Sequence, residues 1–387
     1  MKFVDCKTYR VAVPTRRAHT WASKMDTPIG HHAIVRLQTD DGLVGWGESP
    51  AGETWGGADM RYYGESPETV CHMVAAHLFP AIRDMSPFQI ANIHARMDRV
   101  VKGNPYAKAA LDIAIYDIAG KALGRPVCEL LGGDFRKSIE VTHSLGIMPV
   151  DQCIEEARQA VAEGILTIKC KTGLDPERDV ALVRRLREEV SETVKIRVDA
   201  NEGYPSVSEA VRVTRAQAEY GVFICEQPLA GAEMLARVAE RIDMPVMADE
   251  SAWTVQDIIE LHRLRAAECF SCYVTKPGGL YRAKQQGDVA HALHMDCDIG
   301  GSVELGIGNA ANLHLGAALE NARLPSVLPV SRPKGAAGPE IAGNYYRDDI
   351  ITEPFRFEAG HVYRPTGPGL GIEVDEDKIR AYALRDF

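Results

Sequence analysis

Short apolar runs alternate with amphipathic segments through the middle and C-terminal parts of the chain. The strand-like runs cover residues 139–146, 166–171, 194–200, 222–228, 244–250, 270–276, 297–304 and, more weakly, 326–331. The segments between them carry apolar residues at three- and four-residue spacing, as amphipathic helices do. Alternating strands and helices predict a parallel sheet, and about seven or eight such units can close into a (β/α) barrel. An open doubly wound sheet is the competing architecture, but no GxGxxG or GxxxxGK[ST] motif follows the early strands.

The first 130 residues have a different pattern. Residues 2–13 and 31–40 alternate as strands do, with a hairpin turn at Asp40-Asp41-Gly42, and helical periodicity follows in 66–82, 86–101 and 106–124. From residue 352 the chain is again rich in strand and turn residues. We therefore predict an α/β fold, a modified TIM barrel of the (β/α)7β type with an N-terminal α+β cap. The predicted cap spans 1–130, the barrel spans 131–351, and the segment 352–387 returns to the cap.

Composition and charge narrow the class of protein. The 387 residues are 45% hydrophobic and 25% charged, and the net charge of −10 argues against a nucleic-acid or anionic-membrane partner. No run approaches the roughly 18 apolar residues of a membrane span. The N-terminal MKFVDCKTYRVAV carries charges where a signal peptide has its apolar core. Nine scattered cysteines form no paired zinc motif. We expect a cytoplasmic protein with reduced cysteines and with no nucleic-acid or membrane partner.

Charged residues follow several predicted barrel strands in succession. Functional groups of (β/α) barrels lie at the carboxyl ends of the strands. Carboxylates end three consecutive strands, and lysines end the strands on either side: Asp199, Glu226 and Asp249, with Lys169, Lys171 and Lys276. A single residue of this kind after a strand is more often a helix cap or a solvated turn residue than a ligand. The ordered set indicates a site, because converging carboxylates repel one another unless a cation lies among them. Oxygen ligands without His or Cys favour Mg²⁺ or Mn²⁺.

The stretch TIKCKTG places Lys169 and Lys171 on one face of a strand, because residues two apart point the same way. Two interpretations are open. An exposed edge strand uses lysines against aggregation. A pair of catalytic amines uses one ammonium to make its neighbour easier to deprotonate, through like-charge repulsion. The strand-end carboxylates favour the second interpretation.

Together these motifs resemble the enolase superfamily, in particular the muconate-lactonizing subgroup of the mandelate racemase/muconate lactonizing enzyme family. The matching residues are Lys169-Cys170-Lys171, VDANEGY with Asp199 and Asn201, Glu226-Gln227-Pro228, Ala248-Asp249-Glu250-Ser251 and Lys276-Pro277-Gly278-Gly279. The stretches 104–133 and 367–379 are similar as well, so the resemblance covers almost the whole chain.

The resemblance implies one Mg²⁺, with Mn²⁺ as the alternative, held by Asp199, Glu226 and Asp249. It implies a small carboxylate substrate that loses its α-proton to give a metal-stabilised enolate. It also assigns Lys171 as the proton-transfer residue and Lys169 as its electrostatic neighbour. Lys276 lies opposite, as a second acid/base or a cationic stabiliser. The remaining matching positions are Asn201 in the catalytic group and Glu304 beside the pocket. Family members tend to form homo-oligomers.

Several reactions of the superfamily use such a lysine pair. A muconate-type cycloisomerase is the first choice. The alternatives are a racemase or epimerase of an N-substituted amino acid or dipeptide, and a dehydratase like o-succinylbenzoate synthase. Mandelate racemase and sugar-acid dehydratases place a histidine base on the seventh strand, and IGGSVELGIG has none. Dipeptide epimerases have Asp-x-Asp on the last strand. Here Asp296-Cys297-Asp298 lies one strand too early, and we interpret it as polar decoration of a strand start.

Substrate choice in this family depends on two cap loops, here about 15–32 and 49–66. Their apolar residues can form a pocket wall: Trp21, Met25, Trp55, Met60, Tyr62 and Tyr63. Their polar residues could meet a second carboxylate: His19, Lys24, His31, His32 and Arg61. As pocket residues we take Trp21, Met25, Trp55 and Tyr62, together with Glu250 from the barrel.

Two other classes of protein compete with an isomerase. A metal-dependent hydrolase on a (β/α) barrel would need a His-x-His on the first barrel strand, and VTHSLG offers only His143. A barrel that binds metal and carboxylate without turnover has the same motifs. Chelator-sensitive exchange of a substrate α-proton with deuterated solvent separates such a binding protein from an enzyme.

Overall fold

The computed structural model describes residues 1–22, 29–55 and 64–384. At its N-terminal end three strands form an antiparallel sheet: β1 (Phe3–Pro14), β2 (Ile29–Thr39) and β3 (Val44–Pro50). The predicted hairpin joins β2 to β3, and Gly42 adopts a φ of +90° in its turn. Glycine suits this position because it takes positive φ without a Cβ penalty.

Helices cover one face of this sheet, as the periodicity of 66–124 predicts. They are α1 (Pro67–Met73), a π-helical turn (Val74–Leu78), α2 (Phe79–Ile82), α3 (Ile90–Val100), α4 (Pro105–Leu123) and α5 (Val127–Leu130). Helix α4 is buried along most of its length and lies directly on β3. A Cβ added at Gly47 would lie 1.8 Å from the carbonyl oxygen of Ala110, so this close approach requires glycine.

The barrel contains seven parallel strands within the described residues. Following β4 (Ser138–Glu140), they are β5 (Thr142–Leu145), β6 (Thr167–Lys171), β7 (Lys195–Asp199), β8 (Val222–Glu226), β9 (Val246–Ala248), β10 (Cys269–Cys272) and β11 (Asp296–Ile299). They pair in chain order. This order brings the carboxyl ends of consecutive strands together at one mouth.

A helix follows each of these strands. They are α6 (Val150–Ala162), α7 (Pro176–Glu189), α8 (Val207–Ala218), α9 (Ala232–Ala239), α10 (Val255–Leu264), α11 (Leu280–Ala292) and α12 (Gly306–Ala318). Side chains of Asp175, Ser206 and Thr254 accept backbone N–H groups at the starts of α7, α8 and α10. The modified TIM barrel predicted from the sequence is confirmed.

The weak run at 326–331 forms no regular strand, contrary to expectation. The backbone N–H of Thr142 donates to Ser326 O at 2.8 Å, and the N–H of Ile299 donates to Ser326 Oγ at 2.9 Å. Ser326 therefore bridges the first and last parallel strands, and Asn321 and Leu324 add backbone bonds to Cys297 of β11. Pro325 and Pro329 flank this point and cannot donate to a strand ladder, which explains why pairing extends no further.

The C-terminal segment contacts both parts of the molecule. Strand β12 (Phe357–Glu358) pairs with β13 (His361–Tyr363), which pairs in turn with β4, and α13 (Glu376–Tyr382) packs against β1. The N–H of Leu384 donates to Arg10 O at 2.8 Å. The domain boundaries at 130 and 351 stay a prediction. Among the described residues, no helix combines the length and apolar character that crossing a membrane requires.

Candidate active site

Three carboxylates meet at the mouth of the barrel. Asp199 and Glu226 end β7 and β8, and Asp249 directly follows β9. All three are buried, and one oxygen from each lies within 4.8 Å of the others. The Oε2 atom of Glu226 receives no hydrogen bond from any described residue. Because a buried carboxylate oxygen needs a partner, and the donors are all hard oxygens, these residues fit a divalent cation such as Mg²⁺.

Lys169 lies between two of these carboxylates. Its Nζ is 2.6 Å from Glu226 Oε1 and 2.9 Å from Asp199 Oδ2. Burial acts to lower the pKa of Lys169, but the two carboxylates outweigh it, and the pKa is raised above its usual value. Lys169 is therefore a fixed positive charge.

Lys171 points into the same mouth from the end of β6. Its Nζ donates to Asp199 Oδ2 at 2.6 Å and to Asn201 Oδ1 at 2.8 Å, and it lies 5.7 Å from the ring centre of Trp21. Strand β6 is paired on both sides and buried at every position. The interpretation of TIKCKTG as an exposed edge strand is therefore wrong.

The amide of Asn201 connects Lys171 to a further acid. Its Nδ2 donates to Glu250 Oε1 at 2.8 Å, while its Oδ1 accepts from Lys171. Burial, together with the neighbouring Asp249 carboxylate, raises the pKa of Glu250 well above its usual value. Glu250 thus belongs to the buried charge network, and it does not line the cavity described below.

Lys276 faces the carboxylates from a position four residues beyond the end of β10. Its Nζ donates to Asp249 O at 2.7 Å and contacts Asp249 Oδ1. Three aromatic rings surround the ammonium, with ring centres at 3.9 Å (Tyr273), 5.2 Å (Trp55) and 6.0 Å (Trp253). These rings keep water away and favour the cation through their π faces. Sequence reasoning found Trp55 but missed Tyr273, which directly follows β10, and Trp253, which lies five residues beyond β9.

The turn that carries Lys276 is fixed from the N-terminal helices. Asp112 on α4 accepts the N–H of Leu280 at 2.6 Å and contacts His94 Nε2 at 2.7 Å. Gly279 has a φ of +125°, and a Cβ there would lie 2.4 Å from Asp112 Cγ. Sequence reasoning noted the glycines of this turn but missed the acid against which they pack.

Glu304 follows β11 and is buried. Burial raises its pKa to about 7, and the Glu48 charge contributes to the shift. Glu48 in turn accepts the N–H groups of Leu305 and Gly308, each at 2.7 Å. The sequence indicated Glu304 but not Glu48, because Glu48 comes from β3, far away in the chain.

A buried ion pair lies inside the barrel beside the carboxylates. Arg197 Nη1 is 2.8 Å from Asp298 Oδ2, and its Nη2 is 3.9 Å from Glu226 Oε2. All three side chains are fully buried. The interpretation of Asp296-Cys297-Asp298 as polar decoration is therefore wrong for Asp298, although Asp296 is partly exposed and pairs with Arg323 on the surface.

A cavity opens in front of the lysines. It holds about 630 Å³ of empty space, its open mouth included, which is within the usual range for small-molecule sites. Its wall includes His19, Trp21, Trp55, Tyr106, Ser144, Lys169, Lys171, Tyr273, Gly300, Ser302, Val303 and Tyr345. The predicted pocket residues Trp21 and Trp55 therefore lie in the wall. Met25 and Tyr62 are outside the described residues, as are Lys24, Met60, Arg61 and Tyr63.

One of the predicted polar loop residues already has its partners inside the protein. His32 is fully buried, with Nδ1 2.9 Å from Glu48 Oε1 and Nε2 2.9 Å from the hydroxyl of Tyr346. It is not available to a substrate carboxylate. His31 lines an outer extension of the cleft, beyond His19 and Trp21.

Comparison with known proteins gives matches over nearly the whole chain. The model for the mandelate racemase / muconate lactonizing enzyme N-terminal domain matches residues 6–132, and the enolase C-terminal domain-like model matches residues 152–378. Muconate cycloisomerase 1 of Rhodococcus opacus is 33% identical over 99% of this chain and 98% of its own length. The N-succinyl-L-Arg/Lys racemase of Bacillus cereus is 30% identical over 98% of this chain and 97% of its own.

Solved structures agree with these matches. The 2-chloromuconate cycloisomerase of Rhodococcus opacus superposes with a TM-score of 0.90 at 30% identity, and both chains are covered completely. The N-succinyl Arg/Lys racemase of Bacillus cereus superposes with a TM-score of 0.89 at 28% identity, over 100% of this chain and 99% of its own.

Proposed function

Because this chain belongs to the mandelate racemase / muconate lactonizing enzyme family, we propose that it is an isomerase that moves a proton on the carbon next to a substrate carboxylate. One observation carries the proposal. Lysine ammonium groups from two sides of the barrel mouth contact a buried cluster of three carboxylates. Such an arrangement provides a cation site with proton-transfer groups in direct contact with its carboxylates.

We propose that Asp199, Glu226 and Asp249 hold Mg²⁺, with Mn²⁺ as the alternative. The unpartnered Oε2 of Glu226 and the purely oxygen donor set support this choice. A divalent cation bound there would offset the negative charge that grows on the substrate carboxylate as its α-proton leaves.

Lys171 is our proton-transfer residue. Asp199 and Asn201 fix its Nζ at the edge of the cavity, where a bound substrate can reach it. Lys169 keeps its proton, so its charge attracts the substrate carboxylate and stabilises the anion formed by proton loss. Glu250 orients Asn201 from behind, which makes it a positioning residue rather than a proton carrier.

Lys276 approaches from the side of Tyr273 and Trp55, whereas Lys171 lies beside Trp21. In a cycloisomerase one lysine would transfer the proton and the other would stabilise the anion. In a racemase or epimerase each lysine would serve one face of the substrate carbon. The residues support either use, and the cycloisomerase and racemase relatives correspond to these two candidates. A homo-oligomeric, cytoplasmic protein remains part of the proposal.

A substrate screen in deuterated buffer tests the proposed chemistry. The protein is incubated with Mg²⁺ and with cis,cis-muconate, N-acyl amino acids or dipeptides, and proton NMR follows lactone formation and α-proton exchange. We expect at least one compound to react, and excess EDTA to stop the reaction. Absence of any lactone or exchange across the panel would contradict the proposal.

A matched pair of variants tests the cation site. Asp199→Asn removes one of the three proposed ligands, whereas Asp296→Asn changes a partly exposed acid that pairs with Arg323. Calorimetric titration with Mg²⁺ should show at least tenfold weaker binding to Asp199→Asn and unchanged binding to Asp296→Asn. Equal affinities for the two variants would refute the ligand set.

A further inference from the structure

The charge of Arg17 is satisfied inside the protein. Its Nε and Nη2 contact the Glu156 carboxylate at 2.6 and 2.7 Å. Nη2 also donates to Ser144 O at 3.4 Å, and Nη1 donates to Ala18 O at 2.8 Å. With its contact to His19, all five N–H groups of this guanidinium have acceptors. Arg17 is therefore not available to bind a substrate carboxylate.

Glu156 remains ionised in this arrangement. Although burial acts to raise its pKa, hydrogen bonds from His143 and Arg17 outweigh burial and hold the pKa far below its usual value. Arg16 contributes a further contact, with Nη2 at 2.8 Å from Glu156 Oε1. Arg16 and Arg17 thus share the ionised carboxylate of Glu156 as their counter-ion.

Arg17 fixes the tautomer of His19. Its Nη1 lies 3.1 Å from His19 Nδ1, and a guanidinium can only donate. The Nδ1 atom must therefore accept, which places the imidazole proton on Nε2. Burial and the charges of Arg17 and Lys171 lower the pKa of His19 well below its usual value, against the opposing effect of Glu156. The ring is neutral and presents a single N–H.

The residue that carries this N–H lies in the wall of the substrate cavity. His19 lines the cavity together with Lys171, and its Nε2 lies 3.5 Å from Ser144 Oγ. The rings of Trp21 and Tyr345 hold the imidazole, with centre distances of 5.9 and 5.1 Å. The uncharged Nε2–H of His19 and the proton-transfer lysine, Lys171, therefore line the same cavity.

We propose that His19 determines substrate specificity by donating from Nε2 to an uncharged acceptor, the amide carbonyl of an N-acylated amino acid. A neutral donor satisfies a neutral carbonyl, whereas a second carboxylate buried here would need a cationic partner, and among the described residues Glu156 already holds the charges of Arg16 and Arg17. The inference rests on the proposed function, because the reacting carboxylate is taken to bind at the lysines. It narrows the substrate class to compounds with one carboxylate and a neutral acyl group.

Binding of a matched pair of ligands tests this assignment. N-acetyl-L-phenylalanine and N-succinyl-L-phenylalanine differ only in the acyl group, where the succinyl compound adds one methylene and a second carboxylate, and cis,cis-muconate is the dicarboxylate reference. Calorimetry with the Mg²⁺-loaded protein should give at least tenfold tighter binding of the acetyl compound than of the other two. His19→Phe should weaken binding of both N-acyl compounds about tenfold, because they share the amide carbonyl, and should change that of muconate less than twofold. His19→Gln, which keeps an N–H donor, should recover part of the loss, and His291→Phe on the surface of α11 should change none of these affinities.

The opposite results overturn the assignment. Tighter binding of the succinyl compound or of muconate, no measurable binding of the acetyl compound, or an unchanged acetyl affinity in His19→Phe would each do so. The isomerase proposal stands or falls separately, since it fails only if no compound of the wider panel forms a lactone or exchanges its α-proton.

The tautomer itself can be measured without a ligand. In protein labelled with ¹⁵N-histidine, the His19 signals are those missing from His19→Phe. We expect a neutral ring protonated on Nε2 at neutral pH. A proton on Nδ1, or an imidazolium at pH 6.5, would overturn the assignment. The charged or titratable groups that act on this ring are Arg17, Lys171, Glu156 and His143.

Discussion

Replacing Arg197 by Met should destabilise the protein strongly, because it leaves a buried carboxylate without its partner. The guanidinium lies 2.8 Å from Asp298 and 3.9 Å from Glu226, and none of these side chains is exposed. Its Nη1 also donates to Pro325 O at 3.3 Å. Removing one partner of a buried ion pair typically costs about 3–5 kcal/mol. We expect Arg197→Met to lower the free energy of unfolding by an amount in this range.

The double variant Arg197→Met/Asp298→Leu distinguishes the cost of an unpaired buried charge from the cost of losing the ion pair as a whole. Apolar side chains of similar volume often replace a buried ion pair at little cost. We therefore expect the double variant to regain most of the loss, to within about 2 kcal/mol of the wild type. The single variant Asp298→Leu leaves Arg197 with Glu226 at 3.9 Å and should lie between the two.

Urea unfolding followed by circular dichroism, in EDTA to keep the protein free of metal, measures these differences. The control is Arg263→Met, because Arg263 contacts Glu260 at 2.6 Å but its side chain is 64% exposed. An exposed pair contributes about 0–1 kcal/mol. If Arg197→Met costs no more than Arg263→Met, or the double variant is as unstable as Arg197→Met alone, the argument from burial is wrong.

Two further variants test the surroundings of the site. Asp112→Asn should weaken the hydrogen bond to Leu280 that holds the Lys276 turn. With the substrate found by screening, we expect kcat to fall about tenfold while KM stays within a factor of three. A rise in KM as large as the fall in kcat would contradict a positioning role. Glu304→Gln should make the protein less sensitive to pH. The folded acid keeps its proton to about pH 7 while the unfolded one releases it near 4.5, so the wild type loses stability as pH rises through this window. The variant should therefore gain about 3 kcal/mol relative to wild type between pH 4.5 and 7.5 in urea titrations, and a constant difference would refute the assignment.

The sequence predicts the site well where topology alone decides position. Consecutive parallel strands bring their carboxyl ends together, so Asp199, Glu226 and Asp249 had to meet once the strands were placed. The alternation of β6 likewise placed Lys169 and Lys171 on one face. No side-chain packing had to be known for either conclusion.

Contacts between distant segments were not predictable in this way. Asp298 was interpreted as polar decoration of a strand start, because its partner Arg197 comes from a strand four places away in the sheet. Glu48 and Asp112 were missed for the same reason, because they contact the barrel from β3 and α4. The loss of strand structure at 326–331 follows from Pro325 and Pro329, whose missing N–H groups outweigh an apolar pattern.

The chemical environment of His19 shows a third limit. The sequence suggested that this histidine could meet a second carboxylate. The structure instead buries it near Arg17 and Lys171, which lower its pKa and keep the ring neutral although Glu156 acts in the opposite direction. A histidine in a sequence has no fixed charge, and only its neighbours in space decide it.

The central claim is that Lys171 transfers the substrate α-proton. The direct measurement is deuterium incorporation at that carbon, followed by proton NMR in D₂O with Mg²⁺, for wild type and Lys171→Met with the compound that the wild type turns over. We predict incorporation by the wild type and at least a hundredfold slower incorporation by the variant, with circular dichroism unchanged. Incorporation by Lys171→Met at close to the wild-type rate would contradict the account.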